Sequence, residues 1–203
     1  MYREKGGIMN PGSLAVHMRL QRGWAREEQI AEALVKAGLN IQQSSQFEDR
    51  HLKIDRWIVT SNERIPLQIK YREKGGDLLF EVYDKWYGWE DPRNKLGRDM
   101  YGDAKEYAVL LPEGNRNFVA MVPTDLAKEI VWDMVNAAKE EGFDCETERS
   151  KTLNYWDRGC NLQLKVQHDP CDNRQKMVAY IPSQYFGVLG KIKTFNVELP
   201  SVW

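Results

Sequence analysis

The stretches Lys53–Thr60, KIDRWIVT, and Ile65–Tyr71, IPLQIKY, decide how this chain reads. Both are rich in β-branched and aromatic residues, and they flank the polar turn Ser61-Asn62-Glu63-Arg64, the pattern of a β-hairpin. Strand side chains alternate faces, so Gln68 and Lys70 share one face while Leu67, Ile69 and Tyr71 take the other. Pairing Thr60 with Ile65 across that turn sets Asp55 opposite Lys70, about 5 Å apart on one face. A carboxylate, an amide and an ammonium are thereby gathered in an otherwise apolar hairpin, which is costly unless the cluster has a use. A register slip of one residue would scatter it. The bland alternative is an Asp–Lys cross-strand pair decorating the surface.

Upstream, Ile30, Leu34 and Ala37 follow the three-four spacing of an amphipathic helix over Trp24–Ala37, stopped by Gly38. A short strand, Leu39–Gln43, is expected next. Downstream, Asp77–Tyr83, Glu106–Leu111 and Asn117–Val122 read as strands, and Trp86–Gly102 as an aromatic, charged loop. Thr124 is the expected N-cap of a second helix reaching Gly142. Asn161–Gln167 and Lys176–Ile181 continue as strands. The order is that of a mixed α/β sheet with helices on its faces. The segment YREKGG occurs at Tyr2–Gly7 and again at Tyr71–Gly76, too short for a solenoid repeat.

With 29 Lys and Arg against 30 Asp and Glu, the net charge of −1 argues against a binder that relies on bulk positive charge. Seven Trp, nine Tyr and six Phe are too many large apolar groups for a disordered chain. No apolar run approaches the ~20 residues of a membrane span, so no membrane partner is expected. Met1–Met9 has no apolar h-region, and three cysteines make no disulfide framework, so a reducing, cytoplasmic setting is expected. Cys145, Cys160, His168 and Cys171 fit no zinc spacing. Neither a phosphate-cradling glycine loop nor a G-x-S-x-G elbow is present, so no nucleotide cofactor is expected.

Asp55 opening one strand and Gln68-Ile69-Lys70 on the next resemble the PD-(D/E)XK nuclease superfamily. Gln in place of the acidic residue departs from the general pattern and looks like the Mrr-type restriction endonuclease branch. The helix also resembles that of archaeal Holliday junction resolvases, with Glu27 eleven residues before Gly38. The resemblance covers Gly23–Leu111 and implies an α/β restriction-endonuclease-like core, a mixed central β-sheet flanked by helices. The expected organisation is an N-terminal lead over 1–22, the core over 23–150 and a β-rich C-terminal extension over 151–203.

What it implies chemically is phosphodiester hydrolysis of DNA with Mg²⁺ or Mn²⁺. Mg²⁺ prefers hard oxygen ligands and keeps several waters, so one or two carboxylates plus substrate phosphate make a sufficient site. Asp55 is the expected principal ligand and Glu27 a second ligand or the positioner of a metal-bound water. Gln68 ligates only through its amide oxygen, and the Ile69 carbonyl is a further oxygen. Lys70 orients the attacking water or stabilises charge on the phosphate. Glu27 is preferred to Glu28 because it lies three residues before Ile30, near the buried face.

Trp86 and Trp89, interleaved with Arg93, Lys95 and Arg98, read as a loop that contacts nucleic acid by stacking and phosphate contacts. Its alternative is a loop folding its own aromatics onto the core. Two rivals to the endonuclease stand: a structure-specific resolvase, which acts as a homodimer, and a non-catalytic nucleic-acid-binding protein that keeps the fold.

Overall fold

The computed structural model describes residues 11–71, 77–113, 116–143, 150–169, 174–190 and 192–197. The N-terminal copy of the repeated hexapeptide, all but Tyr71 of the second, Cys145 and Cys171 lie outside them.

The first helix, α1, runs Pro11–Lys36. It therefore starts well inside the expected 1–22 lead. Proline is pre-organised for the first helical position, and the helix formers after it outweigh the ~1 kcal/mol cost of Gly23. The end is as the sequence predicts. Gly38, at φ 94°, donates its N–H to Val35 O (2.9 Å), and Leu39 donates to Leu34 O (3.1 Å), closing the last turn.

β1 (Ile41–Gln43) leads through the π-helical turn Glu48–Leu52 to β2 (Arg56–Val59), and β3 (Arg64–Lys70) returns. β4 is Asp77–Trp86, and the expected loop after it contains a short strand β5 (Lys95–Leu96) and one helical turn, α2 (Arg98–Tyr101). β6 (Glu106–Glu113), β7 (Arg116–Pro123) and α3 (Thr124–Glu140) follow. Thr124 is the first residue of α3 rather than its cap, and its side chain makes no capping bond. The last third supplies β8 (Ser150–Asp157), β9 (Cys160–Asp169), β10 (Arg174–Pro182), α4 (Ser183–Leu189) and β11 (Lys193–Val197).

These strands make two sheets. The first has the order β1-β2-β3-β6-β7-β11 and is mixed, with β3 and β6 parallel. The second has the order β5-β4-β10-β9-β8 and is antiparallel. One face of the first sheet lies under α1, where Ile30 and Leu34 bury Ile58, Leu67, Ile69, Ala108 and Val119. Its other face, with Tyr107, Val109, Ala120 and Val122, shares one core with α3 and the inner face of the second sheet. The molecule is thus a mixed α/β protein with a mixed central sheet and flanking helices. Among the described residues no helix is long and apolar enough to cross a membrane.

The C-terminal third is not appended to the rest. β10 pairs with β4 from Gln175↔Trp86 to Pro182↔Asp77, and β11 pairs with β7. The expected boundary at residue 150 therefore cuts through both sheets. The physical reason is that β4 has a buried inner row, Leu78, Phe80 and Val82, which needs a partner strand and a facing layer.

Candidate active site

The hairpin register differs from the expected one by two residues. Arg56 pairs with Leu67, Trp57 with Pro66, Ile58 with Ile65 and Val59 with Arg64. The loop is again of four residues, Thr60–Glu63, one position earlier than anticipated. Thr60 N–H donates to Glu63 O (2.9 Å), and the Thr60 hydroxyl accepts the N–H of Glu63 (3.0 Å) and of Asn62 (3.3 Å). A slip of two keeps every side chain on its face, so Gln68 and Lys70 still share one, away from α1. It does remove the expected Asp55–Lys70 opposition.

Asp55 sits just before β2. Its N–H donates to Leu67 O (2.9 Å), and its Oδ2 accepts the Ile69 N–H at 2.7 Å. Its own carbonyl accepts from the Ser44 hydroxyl (2.9 Å) and from Arg56 Nη1 (2.8 Å). The carboxylate is thereby pinned at the end of the sheet. An open cavity of about 340 Å³ lies there, lined by Asp55, Glu27 from α1, Arg98 from α2, Ser44, Asp49 and Trp24 among others. The structure thus brings Glu27, Asp55 and Arg98 together.

The charges in this cavity feel one another. Burial, reinforced by the Asp55 carboxylate, pushes Glu27 up from 4.5 to about 7, with Arg98 and Arg56 pulling the other way. Burial also raises Asp55, opposed by the Ile69 N–H, Arg98 and Lys70. Burial disfavours the Arg98 guanidinium, but Glu81, Asp99, Asp55 and Glu27 more than offset this and hold its pKa above the ordinary value. Arg56 pairs with Glu28 on α1.

Gln68 and Lys70 lie deeper. Gln68 is 1 % exposed, and neither Oε1 nor Nε2 has a hydrogen-bond partner among the described residues. Lys70 Nζ is 2.5 Å from Oδ1 of Asp99, which is wholly buried and accepts the Glu81 N–H at 2.7 Å through Oδ2. Ile69 gives its side chain to the core under α1 and its N–H to Asp55.

The Glu27 and Asp55 carboxylates are hard oxygen donors of the kind a divalent cation takes. Among the described residues no group of three or more His, Cys, Asp or Glu side chains is placed to hold a metal.

The loop after β4 is a partial correction. Trp86 is 2 % exposed, because β4 runs three residues past Tyr83 and its alternation turns Trp86 inward. Trp89 packs edge-on against it at 4.5 Å and donates Nε1–H to Phe143 O. Trp86 belongs to the core and is not available to stack on a base, and Trp89 is partly buried against it. The Arg93 guanidinium bonds both oxygens of Asp91 (2.9 and 2.7 Å) and lies over the Tyr87 ring. Lys95 is exposed on the edge strand β5. Arg98 alone of the five joins the cavity.

Sequence reasoning missed Asp99, Arg56 and Trp24 as members of this neighbourhood. Trp24 was legible, since three residues before Glu27 is the same helix face. Asp99 carried no local signal.

Compared with known protein families, characterised proteins and solved structures, the chain matches none.

Proposed function

We propose that the chain is a Mg²⁺-dependent DNA endonuclease on a restriction-endonuclease-like core of the PD-(D/E)XK type. The observation that carries this reading is the meeting of Glu27 and Asp55, from different elements, in one cavity beside the strand that bears Gln68 and Lys70. The mixed sheet under α1 supports the fold assignment.

Glu27 and Asp55, with the Gln68 amide oxygen and the Ile69 carbonyl, would hold the ion. Bound there, it acidifies a water and neutralises charge on the scissile phosphate. The chain's own residues supply the rest. The Ile69 N–H fixes the Asp55 carboxylate. Glu27 reaches the same cavity from α1 and would orient a water bound to the ion. Arg98 offers donors to the non-bridging phosphate oxygens. Lys70, held by Asp99, adds positive charge behind Asp55.

The test is cleavage of supercoiled, linear, single-stranded and four-way-junction DNA with Mg²⁺. Asp55→Ala and Lys70→Met should abolish cleavage, while DNA affinity falls by no more than about one phosphate contact's worth of salt dependence. Wild-type cleavage by Lys70→Met at saturating Mg²⁺ would retire the mechanism. Selective cutting of the junction, together with a dimer in sedimentation, would move the assignment to a resolvase. The Lys70–Asp99 pair favours a second reading, a nucleic-acid-binding protein without the chemistry, because it gives Lys70 a structural partner. That reading requires the wild-type protein to bind DNA and leave it uncut.

A further inference from the structure

The cavity at Glu27 and Asp55 has an aromatic wall that hydrolysis itself does not need. Trp24 lines it from α1, one turn before Glu27, and is 61 % exposed. An indole of that size left in water on a helix face gains nothing from packing and is a ready surface for another flat apolar group. The same cavity carries guanidinium groups from Arg56 and Arg98 among the carboxylates of Glu27, Glu28, Asp49 and Asp55, and Arg56 is already paired with Glu28, so a phosphate is held there through the cation of the proposed reading.

An exposed aromatic beside a held phosphate is what a nucleic-acid strand meets when its bases are free to stack. A base pair inside a duplex offers no face to an indole, since both faces are covered by neighbouring pairs. We propose that Trp24 stacks on an unpaired base flanking the phosphate held in the cavity, so that the substrate class is unpaired strand rather than intact duplex. The inference rests on the nucleic-acid reading of the site and extends it to the form of the substrate.

The experiment measures binding apart from cleavage. The full chain, with Ca²⁺ in place of Mg²⁺, is titrated by fluorescence anisotropy into three labelled probes: a single-stranded oligothymidylate, a matched duplex and an abasic single strand of equal length. Trp24→Ala should weaken oligothymidylate binding roughly 5- to 150-fold, the range for losing one base–aromatic stack. Trp24→Phe should retain most of the affinity. The abasic strand and the duplex should bind wild type and variant alike, because only phosphate contacts remain to them.

Equal oligothymidylate affinity in Trp24→Ala overturns the platform. So does loss of the same factor on all three probes, which would mean damage to the cavity rather than to stacking. Conversion of a wild-type dimer to monomer by Trp24→Ala, read by sedimentation without DNA, overturns it too by assigning the indole to a second copy of the chain. The two readings fail separately. Trp24-dependent binding with no cleavage of any DNA in Mg²⁺ retires the nuclease and keeps the platform, whereas cleavage with Trp24-independent binding does the reverse.

Discussion

At the scale of single residues, the carboxyl group of Glu27 carries the clearest consequence. Its pKa in the fold, about 7, lies above the ordinary 4.5, so folding favours the protonated form. The stability this contributes is fully present below about pH 4.5 and is lost as the pH rises through 7. In chelator, the urea midpoint should therefore fall between pH 5 and pH 8. Glu27→Gln should remove most of that slope and stabilise the metal-free protein at pH 8 by about 1–2 kcal/mol, after allowance for solvent reaching the group. An unchanged slope would mean that the carboxylate does not feel its burial. Gln68 makes the complementary case. Gln68→Glu adds a charge beside Asp55 at a buried position, so it should cost about 1–3 kcal/mol without metal and bind Mg²⁺ more tightly than wild type. Calorimetric titration of both proteins checks this, and equal or weaker affinity in the Glu form would remove Gln68 from the ligand set.

At the scale of elements, the register of the β2–β3 hairpin and the placing of α2 matter most. The period-2 pattern of KIDRWIVT and IPLQIKY was enough to group Gln68 with Lys70, because parity survives any even slip. It could not choose between a loop over 61–64 and one over 60–63, a choice made by the Thr60 hydroxyl folding onto Asn62 and Glu63. α2 is seated by backbone contact. Gly97 N–H donates to Val82 O at 2.8 Å, and a Cβ at Gly97 would stand 2.2 Å from Glu81 O. Gly97→Ala should cost about 2–3 kcal/mol in denaturant unfolding, and any DNA cleavage should fall with it. Arg98 and Asp99 follow directly in the chain and depend on the same seat. Stability within 0.5 kcal/mol of wild type would show that the loop before α2 yields easily.

At the scale of the whole molecule, the two sheets share one core and neither closes without the C-terminal third. β10 lies between β4 and β9, and β11 forms an edge of the first sheet. A chain ending at Phe143 would leave Leu78, Phe80 and Val82 facing water and β4 without its long neighbour. That fragment should lose cooperative unfolding and bind a hydrophobic dye in the manner of a loosely packed state. A cooperative transition near the full chain's midpoint would instead make residues up to 143 an autonomous domain.

The sequence by itself determined which segments are helix or strand over most of the chain, and which side chains share a face. These are local properties, written as apolar periods of two and of three to four residues, with glycine at the end of α1. Beyond the β2–β3 hairpin, tertiary structure alone decided which strand lies beside which, since the pattern of a strand specifies its faces and not a distant neighbour. That is why β10 joining β4, some 100 residues upstream, was not legible. The same holds within the site. Asp99 reaches Lys70, and Trp86 turns inward while Trp24 faces the cavity, because other elements supply or withhold the covering atoms. A residue's type sets what it can bind, and the packing of distant segments decides what it meets.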